Sequence, residues 1–480
     1  MNYLDLTIAE IHDLLVKKEV RPLELVQEAI KRARTNTDNA FELILEKEAL
    51  AAAKKLRNPE PNNPLWGIPY TIKDNIAVKG IVTTGGSNIL VGYKPTYDSA
   101  VHELLKKKKA ILIGKTTLDE LGLGGTGTAG HLGKTTNPHD PSKKHLIGGS
   151  SCGSAVTVAA NITPFSIGSD TGDSVRKPAG YAGIFGYKPT WGMISRRGLF
   201  SFCPSLDHVG FFTKSTFDAA IVLSALSKHD PQDSTSYRGK RPNYLASVLK
   251  KTSGKIAYIK EVLDSITDVN VINAFKSLVD KLLKDGFVVE EVSVQSELLM
   301  AIYPSYIILS SAEATSNNAC LDSIRFGPRP NDRTSYENMV LEARTNGFGE
   351  MTKRRFVLGS VALLRENQEA TYLRAKKVRR LVVEAIKTIF KGYAYLLLPA
   401  SPSSAPCFNQ NSDDKLSAKY LIADNHLAIA NFGGFPSLTL PLGKNGNLPF
   451  GVNITSDIFN DDMVLSLGHV IEKFRGDANE

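Results

Sequence analysis

Cysteine and long apolar runs are scarce in this sequence of 480 residues. Its cysteines stand far apart without a CxxC pair, which argues against a disulfide framework or a cysteine-based zinc site and favours a reducing compartment. No uninterrupted apolar stretch of about 18 residues occurs, so a membrane span is not expected. The first ten residues contain early acids and no basic segment followed by an apolar core, so they do not resemble a targeting signal. We therefore expect a cytoplasmic protein.

Positive charge is in modest excess, with a net charge of +9. Such a balance permits attraction to an anionic partner, but it serves solubility equally well. The basic run Lys106–Lys109 follows a helical pattern over residues 100–105, so we interpret it as the solvated end of a helix. The charge pattern alone therefore does not indicate a nucleic-acid partner.

The sequence pattern predicts an α/β protein with a central mixed sheet covered by helices on both faces. Residues 7–58 are expected to be helical, within an N-terminal helical segment of about 1–60, because Thr7 and Glu10 form a capping-box pattern before an apolar stripe. From Leu65 onward, short apolar runs separated by glycine-rich turns alternate with helical stretches. This alternation is typical of a layered α/β sheet.

Helices dominate a predicted insertion at about 214–370, after which the strand pattern returns. Three runs, at residues 395–399, 436–442 and 449–455, are expected to complete the same sheet. We therefore interpret residues 1–480 as a single domain.

Several short motifs match known signatures without their required context. The GxGxxG match at residues 122–127 follows no evident strand and opens no helix, which a dinucleotide fingerprint needs. The Gly-Lys-Thr triplets at 114–116 and 133–135 lack the upstream glycine of a phosphate-binding loop. The Gly-Asp-Ser triplet at 172–174 lies far from the N-terminus, where the hydrolase block that it resembles belongs.

A GxSxG match makes Ser151 a rival nucleophile. Such an elbow places its serine between a buried strand and a helix, with an acid and a histidine further along the chain. Only a short apolar pair precedes this match, at Leu146 and Ile147. The α/β-hydrolase interpretation is therefore the weaker one, although it stays open at this point.

Two serines flanked by glycine and one lysine between apolar residues are the most informative feature of the chain. They are Ser150 in LIGGSSCGSA (146–155), Ser174 in IGSDTGDSVRKPA (167–179) and Lys73 in GIPYTIKDNIAVKG (67–80). A serine hydroxyl is a weak nucleophile until a base takes its proton, and lysine can serve as that base without histidine. These residues predict an acyl-transfer enzyme.

The three loops together resemble the amidase signature family, with the lysine and two serines in the order of that family and Ser174 following Ser150 by 24 residues. The resemblance implies the amidase signature fold, with Ser174 as nucleophile, Ser150 as proton relay and Lys73 as base. Lys73 must then be neutral, which burial between Ile72 and Ile76 would favour. The resemblance also implies a cis peptide bond before Ser150.

The third loop carries the remaining catalytic features that the resemblance implies. Its backbone N–H groups would form an oxyanion hole, and two charged side chains would fix the loop by hydrogen bonding. The four oxyanion residues are Thr171, Gly172, Asp173 and Ser174, and the supporting pair is Asp170 and Arg176. Asp173 and Cys152 stand where the signature usually has glycine, so we expect Asp173 to point away from the oxyanion and Cys152 to pack.

Within this family the whole chain is similar to the glutaminase A subunits of tRNA-dependent amidotransferases, including the blocks GMISRRGLF (192–200) and PSLDHVG (204–210). The similarity implies a chain that hydrolyses free glutamine and supplies ammonia for the conversion of Glu-tRNA(Gln) to Gln-tRNA(Gln). It also implies a hetero-oligomer with the B and C subunits of the amidotransferase, tRNA contacts mainly through the B subunit, and ATP and Mg at that partner. No cofactor or metal is expected on this chain.

Free glutamine needs a cation for its α-carboxylate and an anion for its α-ammonium. In family-like contexts Arg355 would bind the carboxylate, with Arg354 the second choice, because a planar guanidinium binds carboxylate in bidentate fashion. Asp424 would hold the ammonium, and Tyr306 would bound the side-chain pocket. Two alternatives remain: a stand-alone amidase acting on other carboxamides, which would need neither Arg355 nor Asp424, and a non-catalytic scaffold protein.

Overall fold

A mixed sheet of eleven strands organises the computed structural model, which describes residues 2–331, 335–408 and 416–476. Its order is β1-β3-β2-β4-β6-β5-β10-β11-β9-β7-β8. The strands are β1 (Phe41–Ile44), β2 (Pro69–Lys73), β3 (Ile111–Thr116), β4 (Phe165–Asp170), β5 (Phe185–Lys188), β6 (His208–Thr213), β7 (Ile256–Ile259), β8 (Val289–Val292), β9 (Tyr395–Pro399), β10 (Ser437–Asn445) and β11 (Leu448–Thr455).

Helices connect these strands along the described residues. They are α1 (Ile8–Val16), α2 (Pro22–Thr35), α3 (Glu46–Lys55), α4 (Ala100–Lys107), α5 (Cys152–Ala159), α6 (Arg176–Ala182), α7 (Thr216–Leu226), α8 (Tyr244–Val248), α9 (Lys260–Ser265), α10 (Val269–Lys284), α11 (Ser296–Met300), α12 (Ile302–Asn317), α13 (Tyr336–Gly347), α14 (Glu350–Leu363), α15 (Arg365–Gln368), α16 (Arg374–Phe390), α17 (Ala418–Ala423), α18 (Ile429–Gly433) and α19 (Asp461–Gly476). None of them, within the described ranges, is both long and apolar enough to cross a bilayer.

Local sequence explains where the longer helices begin. The capping box expected at Thr7 and Glu10 is present at the start of α1, and proline occupies the first turn of α2, where it removes no helical hydrogen bond. The side chain of Asp268 accepts hydrogen bonds from the N–H groups of Asn270 and Val271 at the start of α10.

The sheet contains parallel and antiparallel pairs, and the parallel strands β2, β3 and β4 lie near the edge that β1 forms. β2 runs parallel to both β3 and β4, whereas β6 is antiparallel to β4 and β5, and β10 is antiparallel to β5 and β11. The carboxyl ends of neighbouring parallel strands lie together, so β2 and β4 bring their last residues to one edge. These last residues are Lys73 and Asp170.

Both faces of the sheet are covered. On β9, Tyr395 and Leu397 pack into one apolar cluster, whereas Leu396 and Leu398 pack into another, because successive side chains of a strand point to opposite faces. The first cluster includes Val464 and its neighbours on α19, and the second includes residues of α12, α14 and α16. The predicted mixed sheet with helices on both faces is therefore confirmed.

The structure departs from the predicted elements mainly at short strands. The sequence predicts helices throughout 7–58, but residues 41–44 form β1 and pair antiparallel with β3. The strands β7 and β8 lie inside the stretch predicted to be rich in helices, and β6 is not predicted. These strands contain four to six residues, too few for a hydrophobic period to identify them.

The sheet interior should dominate the stability of the fold. Leu440 lies on β10 with none of its surface exposed, so Leu440→Ala should lower the free energy of unfolding by about 2–5 kcal/mol through lost burial and a cavity. Leu249→Ala is the matched control, because 62% of Leu249 is exposed. Urea unfolding followed by circular dichroism measures both; equal midpoints for the two variants would contradict this packing.

Candidate active site

Lys73 lies at the centre of a buried hydroxyl cluster at the carboxyl end of β2. Its Nζ is 2.7 Å from Ser150 Oγ, 2.9 Å from Ser151 Oγ and 2.8 Å from Ser169 Oγ. The side chain has no exposed surface, and within the described ranges no carboxylate forms an ion pair with it. Burial disfavours the charged form and lowers the pKa of Lys73 to about 8, although more distant acidic groups oppose the shift.

The peptide bond between Gly149 and Ser150 is cis, as the sequence resemblance implies. A Cβ atom at residue 149 would lie 2.0 Å from Oδ2 of Asp119, so only glycine fits. The carbonyl of Ser150 accepts a hydrogen bond of 3.1 Å from the N–H of Asp119. Close packing against Asp119 thus fixes the backbone on both sides of this bond.

The glycine-rich loop at 122–130 is hydrogen-bonded to the segment that carries Ser150. The carboxylate of Asp119 accepts hydrogen bonds from the N–H groups of residues 126–129 at 2.8 to 3.1 Å. The N–H of Gly149 in turn donates to the carbonyl of Gly125. This loop therefore surrounds the carboxylate of Asp119. No helix begins between its GxGxxG match and α5.

Ser174 lies in a turn that a buried ion pair holds. Arg176 and Asp170, both without exposed surface, meet through Nη2 and Oδ1 at 3.0 Å and through Nε and Oδ2 at 3.1 Å. Arg176 also donates to the carbonyl of Gly172 at 2.7 Å. Burial alone would raise the pKa of Asp170, but Arg176 and neighbouring donors hold it well below its ordinary value.

The turn presents the four backbone N–H groups that the resemblance assigns to an oxyanion hole. For Thr171, Gly172, Asp173 and Ser174 we find no acceptor of these N–H groups within the described ranges. Ser174 is 3% exposed, and its carbonyl accepts from the N–H of Ser151 at 3.3 Å. No hydrogen bond joins Ser150 Oγ to Ser174 Oγ in the described part of the chain.

Asp173 faces Lys177, one helical turn further along. Their Oδ2 and Nζ atoms are 2.8 Å apart, which directs the carboxylate toward a cation, as expected for a side chain that avoids an oxyanion. Lys177 Nζ also contacts Asp424, at 3.2 Å from Oδ1 and 2.7 Å from the backbone carbonyl. The sequence alone did not reveal this contact, because Asp424 is 247 residues away.

Tyr306 and Arg355 adjoin each other beside the turn. A Cβ atom at residue 172 would lie 2.9 to 3.1 Å from the Tyr306 ring and hydroxyl, so Gly172 admits the close approach of that ring. The Arg355 guanidinium lies 5.8 Å from the Tyr306 ring centroid and donates to Ser310 Oγ at 2.7 Å. Arg354 is exposed, and the structure therefore places Arg355, the first choice, nearer to the site.

Ser151 has the environment of a structural residue. Its hydroxyl has no exposed surface, donates to the carbonyl of Ser169 at 3.0 Å and contacts Lys73. No histidine of the described residues forms a hydrogen bond with it. The geometry thus gives no support to the GxSxG alternative.

Residues outside the predicted set complete the cluster. Ser169 Oγ contacts both Lys73 and the side-chain amide of Asn75, at 2.8 and 3.1 Å. Asp207, inside the block 204–210, accepts from Thr171 Oγ1 at 2.7 Å. These contacts depend on strand pairing, so no local pattern could reveal them.

The four cysteines are free, and Cys152 packs in an apolar cluster with Ile147 and Val156. Burial raises the pKa of the Cys152 thiol to about 12, which keeps it neutral. Among the described residues, no group of three His, Cys, Asp or Glu side chains could hold a metal ion.

The Asp170–Arg176 pair should be critical for stability as well as geometry. Arg176→Met leaves the Asp170 carboxylate buried without its partner, so the free energy of unfolding should fall by about 3–5 kcal/mol. Arg380→Met, which removes an arginine from the exposed pair with Glu384, should change little. Differential scanning calorimetry tests both, and an unchanged melting temperature for Arg176→Met would refute the assigned role.

Comparison with known proteins places the chain in a family. A family model described as Amidase matches residues 24–465. The A subunit of glutamyl-tRNA(Gln) amidotransferase from Lawsonia intracellularis is 37% identical, over 99% of each chain, and that from Streptococcus pneumoniae (strain Hungary19A-6) is 37% identical over 98% of this chain and 96% of the relative.

A solved structure shows the same fold. The crystal structure of the glutamyl-tRNA(Gln) amidotransferase A subunit from Thermotoga maritima superposes with a TM-score of 0.80 at 31% identity, covering 98% of this chain and 95% of that one. The family match spans the cis peptide, the buried lysine and the serine turn alike. The chain therefore belongs to the amidase family of enzymes.

Proposed function

We propose that this chain is the glutaminase component of a tRNA-dependent amidotransferase and releases ammonia from free glutamine. The observation that carries the chemistry is the 2.7 Å hydrogen bond between buried Lys73 and Ser150. The relatives that are A subunits of glutamyl-tRNA(Gln) amidotransferase, similar over nearly the whole chain, support the assignment of glutamine as the substrate.

In the proposed reaction, neutral Lys73 accepts the proton of Ser150, and Ser150 accepts that of Ser174 as Ser174 Oγ attacks the carboxamide carbon. The side chain of Ser150 or Ser174 must rotate to make this relay, because the two hydroxyls are not hydrogen-bonded to each other. The N–H groups of residues 171–174 would stabilise the oxyanion of the tetrahedral intermediate.

Collapse of that intermediate breaks the C–N bond. The leaving nitrogen takes the proton back through Ser150 and departs as ammonia, leaving a γ-glutamyl ester on Ser174. Water then attacks the ester, with Lys73 again accepting a proton through Ser150, and glutamate is released with Ser174 restored. Each proton taken by Lys73 is returned in the following step, so the cycle consumes only glutamine and water.

We propose that two charged side chains, Arg355 and Asp424, bind the two charged groups of free glutamine. Nε of Arg355 is a buried donor without a hydrogen-bond partner in the described part of the chain, and an unsatisfied buried donor is costly unless a ligand meets it. The α-carboxylate of glutamine would supply that acceptor. Asp424 would hold the α-ammonium, and Tyr306 would bound the side chain between them.

The ammonia is proposed to serve a partner that amidates Glu-tRNA(Gln). In this proposal the B and C subunits join the chain in a cytoplasmic complex, and the B subunit binds tRNA together with ATP and Mg. This chain would hold no cofactor of its own, since acyl transfer at a serine requires none.

Removing members of the Ser-Ser-Lys triad should abolish ammonia release from glutamine by the chain assembled with its B and C partners. Ser174→Ala should lower kcat by at least about 1,000-fold because the nucleophile is lost. Ser150→Ala and Lys73→Ala should each lower it by about 100- to 10,000-fold because proton transfer is lost. Coupled detection of ammonia measures all three.

Ser151→Ala is the discriminating variant, because Ser151 also contacts Lys73 but has no assigned chemical step. It should reduce kcat far less than Ser150→Ala. If Ser151→Ala is instead the inactive variant and Ser174→Ala remains active, the nucleophile is misassigned. If the unmutated complex releases no ammonia from glutamine, the proposed function is wrong, and activity on other amides without partners would indicate a stand-alone amidase.

The pH dependence should follow the neutral form of Lys73. A lysine is charged below its pKa, so kcat measured at saturating glutamine, where the substrate ammonium is already bound, should rise with pH and level off above about 8. Initial rates from about pH 6 to about pH 10 measure this profile. A profile that falls over the same range would show that the charged lysine is the active form.

A further inference from the structure

A buried lysine joins two carboxylates beside the nucleophile. Lys177 is 8% exposed, and its Nζ lies 2.8 Å from Oδ2 of Asp173 and 3.2 Å from Oδ1 of Asp424. Asp173 immediately precedes Ser174, whereas Asp424 follows the last residue of α17. The lysine thereby connects the oxyanion turn to the region that the proposed function assigns to the substrate ammonium.

The three side chains form a charge cluster with an excess of negative charge. Burial alone would lower the pKa of Lys177, but Asp173 and Asp424 raise it well above its ordinary value, so Lys177 remains a cation. Burial raises the pKa of Asp173, and Lys177 opposes that shift by stabilising the carboxylate. With both carboxylates ionised, the three groups carry one negative charge without a counterion among them. Both carboxylates retain part of their surface, with 22% of the Asp173 side chain and 24% of the Asp424 side chain exposed.

Lys177 meets Asp173 at Oδ2 and Asp424 at Oδ1, and each carboxylate has a second oxygen that can accept a hydrogen bond from another cation. The Tyr420 hydroxyl donates a hydrogen bond to the Asp424 carboxylate but adds no charge, because burial and that carboxylate raise the pKa of Tyr420 to about 12. Because an ionised carboxylate accepts several hydrogen bonds, a second ammonium can bind the pair without displacing Lys177. An anion would meet two carboxylates, so the cluster selects against it.

We propose that Asp173, Lys177 and Asp424 together form an ammonium-selective subsite, in which Lys177 positions both carboxylates and Asp173 supplies the negative charge that offsets Lys177. This inference rests on the proposed function and specifies its substrate class as carboxamides that carry a free ammonium group. Without Asp173, the Lys177–Asp424 pair would be neutral, and Asp424 would have little net attraction for a substrate cation.

The proposal explains why an acidic residue is tolerated beside the nucleophile. A carboxylate at residue 173 would oppose an oxyanion if it faced the turn, but the contact with Lys177 directs it toward the ammonium region. The summed charge of Asp173, Lys177 and Asp424, rather than Asp424 alone, then determines the preference for a substrate that carries an ammonium. The consequence is that neutralising Asp173 and neutralising Lys177 should have opposite effects.

The test compares two amides on the chain assembled with its B and C partners: glutamine, and glutaramate, which has the same carboxylate and carboxamide but no ammonium. The measured quantity is the ratio of kcat/KM for glutamine to kcat/KM for glutaramate, because loss of folded enzyme cancels in this ratio. Asp173→Asn should lower the ratio by about 10-fold, mainly through KM for glutamine.

Two further variants make the charge argument specific. Lys177→Gln should leave the ratio at or above that of the unmutated chain, and the double variant Asp173→Asn/Lys177→Gln, whose subsite again carries one negative charge, should return to within about threefold of it. Glu384→Gln is the control. It removes a carboxylate from the exposed pair of Arg380 and Glu384, which are four residues apart, as Asp173 and Lys177 are. This variant should leave the ratio unchanged.

The outcomes separate this inference from the proposed function. If the unmutated complex hydrolyses glutamine but Asp173→Asn alters both amides equally, or the double variant is no better than Asp173→Asn, the subsite is refuted and the glutaminase assignment stands. If the unmutated complex hydrolyses glutaramate but not glutamine, or neither amide, both proposals fail together.

Discussion

The burial of Lys73, which contacts no carboxylate of the described residues, is the constraint on which the site depends. Lys177 is also buried, yet its two carboxylates raise its pKa well above the ordinary value, whereas Lys73 has serine hydroxyls around it and a pKa near 8. Hydroxyl groups can accept a hydrogen bond from an ammonium or donate one to an amine, so they tolerate both protonation states. The partners of each lysine therefore set its charge, and the partners of Lys73 permit the neutral form.

The residues that form the site and hold its serine turn come from distant parts of the chain. β2 contributes Lys73 and β4 ends at Asp170, while Asn431 on α18 donates to the Asp170 carboxylate at 2.9 Å and accepts from Arg176 at 2.6 Å. A helix near the C-terminus thus contributes hydrogen bonds to the turn that follows the central strand β4. We expect this buried network to matter both for stability and for the position of Ser174. Removing one of its charged partners would lower the free energy of unfolding and would also displace Ser174.

Sequence alone was sufficient for the family and for the mixed sheet with helices on both faces. The predicted strand at 395–399 matches β9 because it is a continuous apolar run that is buried on both faces, and the predicted helix start at Thr7 matches α1 because its capping box forms. The contact of Lys73 with Ser169 could not be predicted, because it depends on the parallel pairing of β2 with β4. The contact of Lys177 with Asp424 depends on packing across the whole fold, although the four-residue spacing of Asp173 and Lys177 is a local signal for an ion pair.

The central claim is that Ser174 carries the acyl group, and trapping the intermediate tests it most directly. The assembled complex would be mixed with isotope-labelled glutamine, quenched in acid within a turnover, digested and mapped by mass spectrometry. A labelled glutamyl ester on the peptide that contains Ser174, absent from Ser174→Ala, is the expected result. A labelled ester on Ser150 or Ser151 instead would contradict the assignment of the nucleophile.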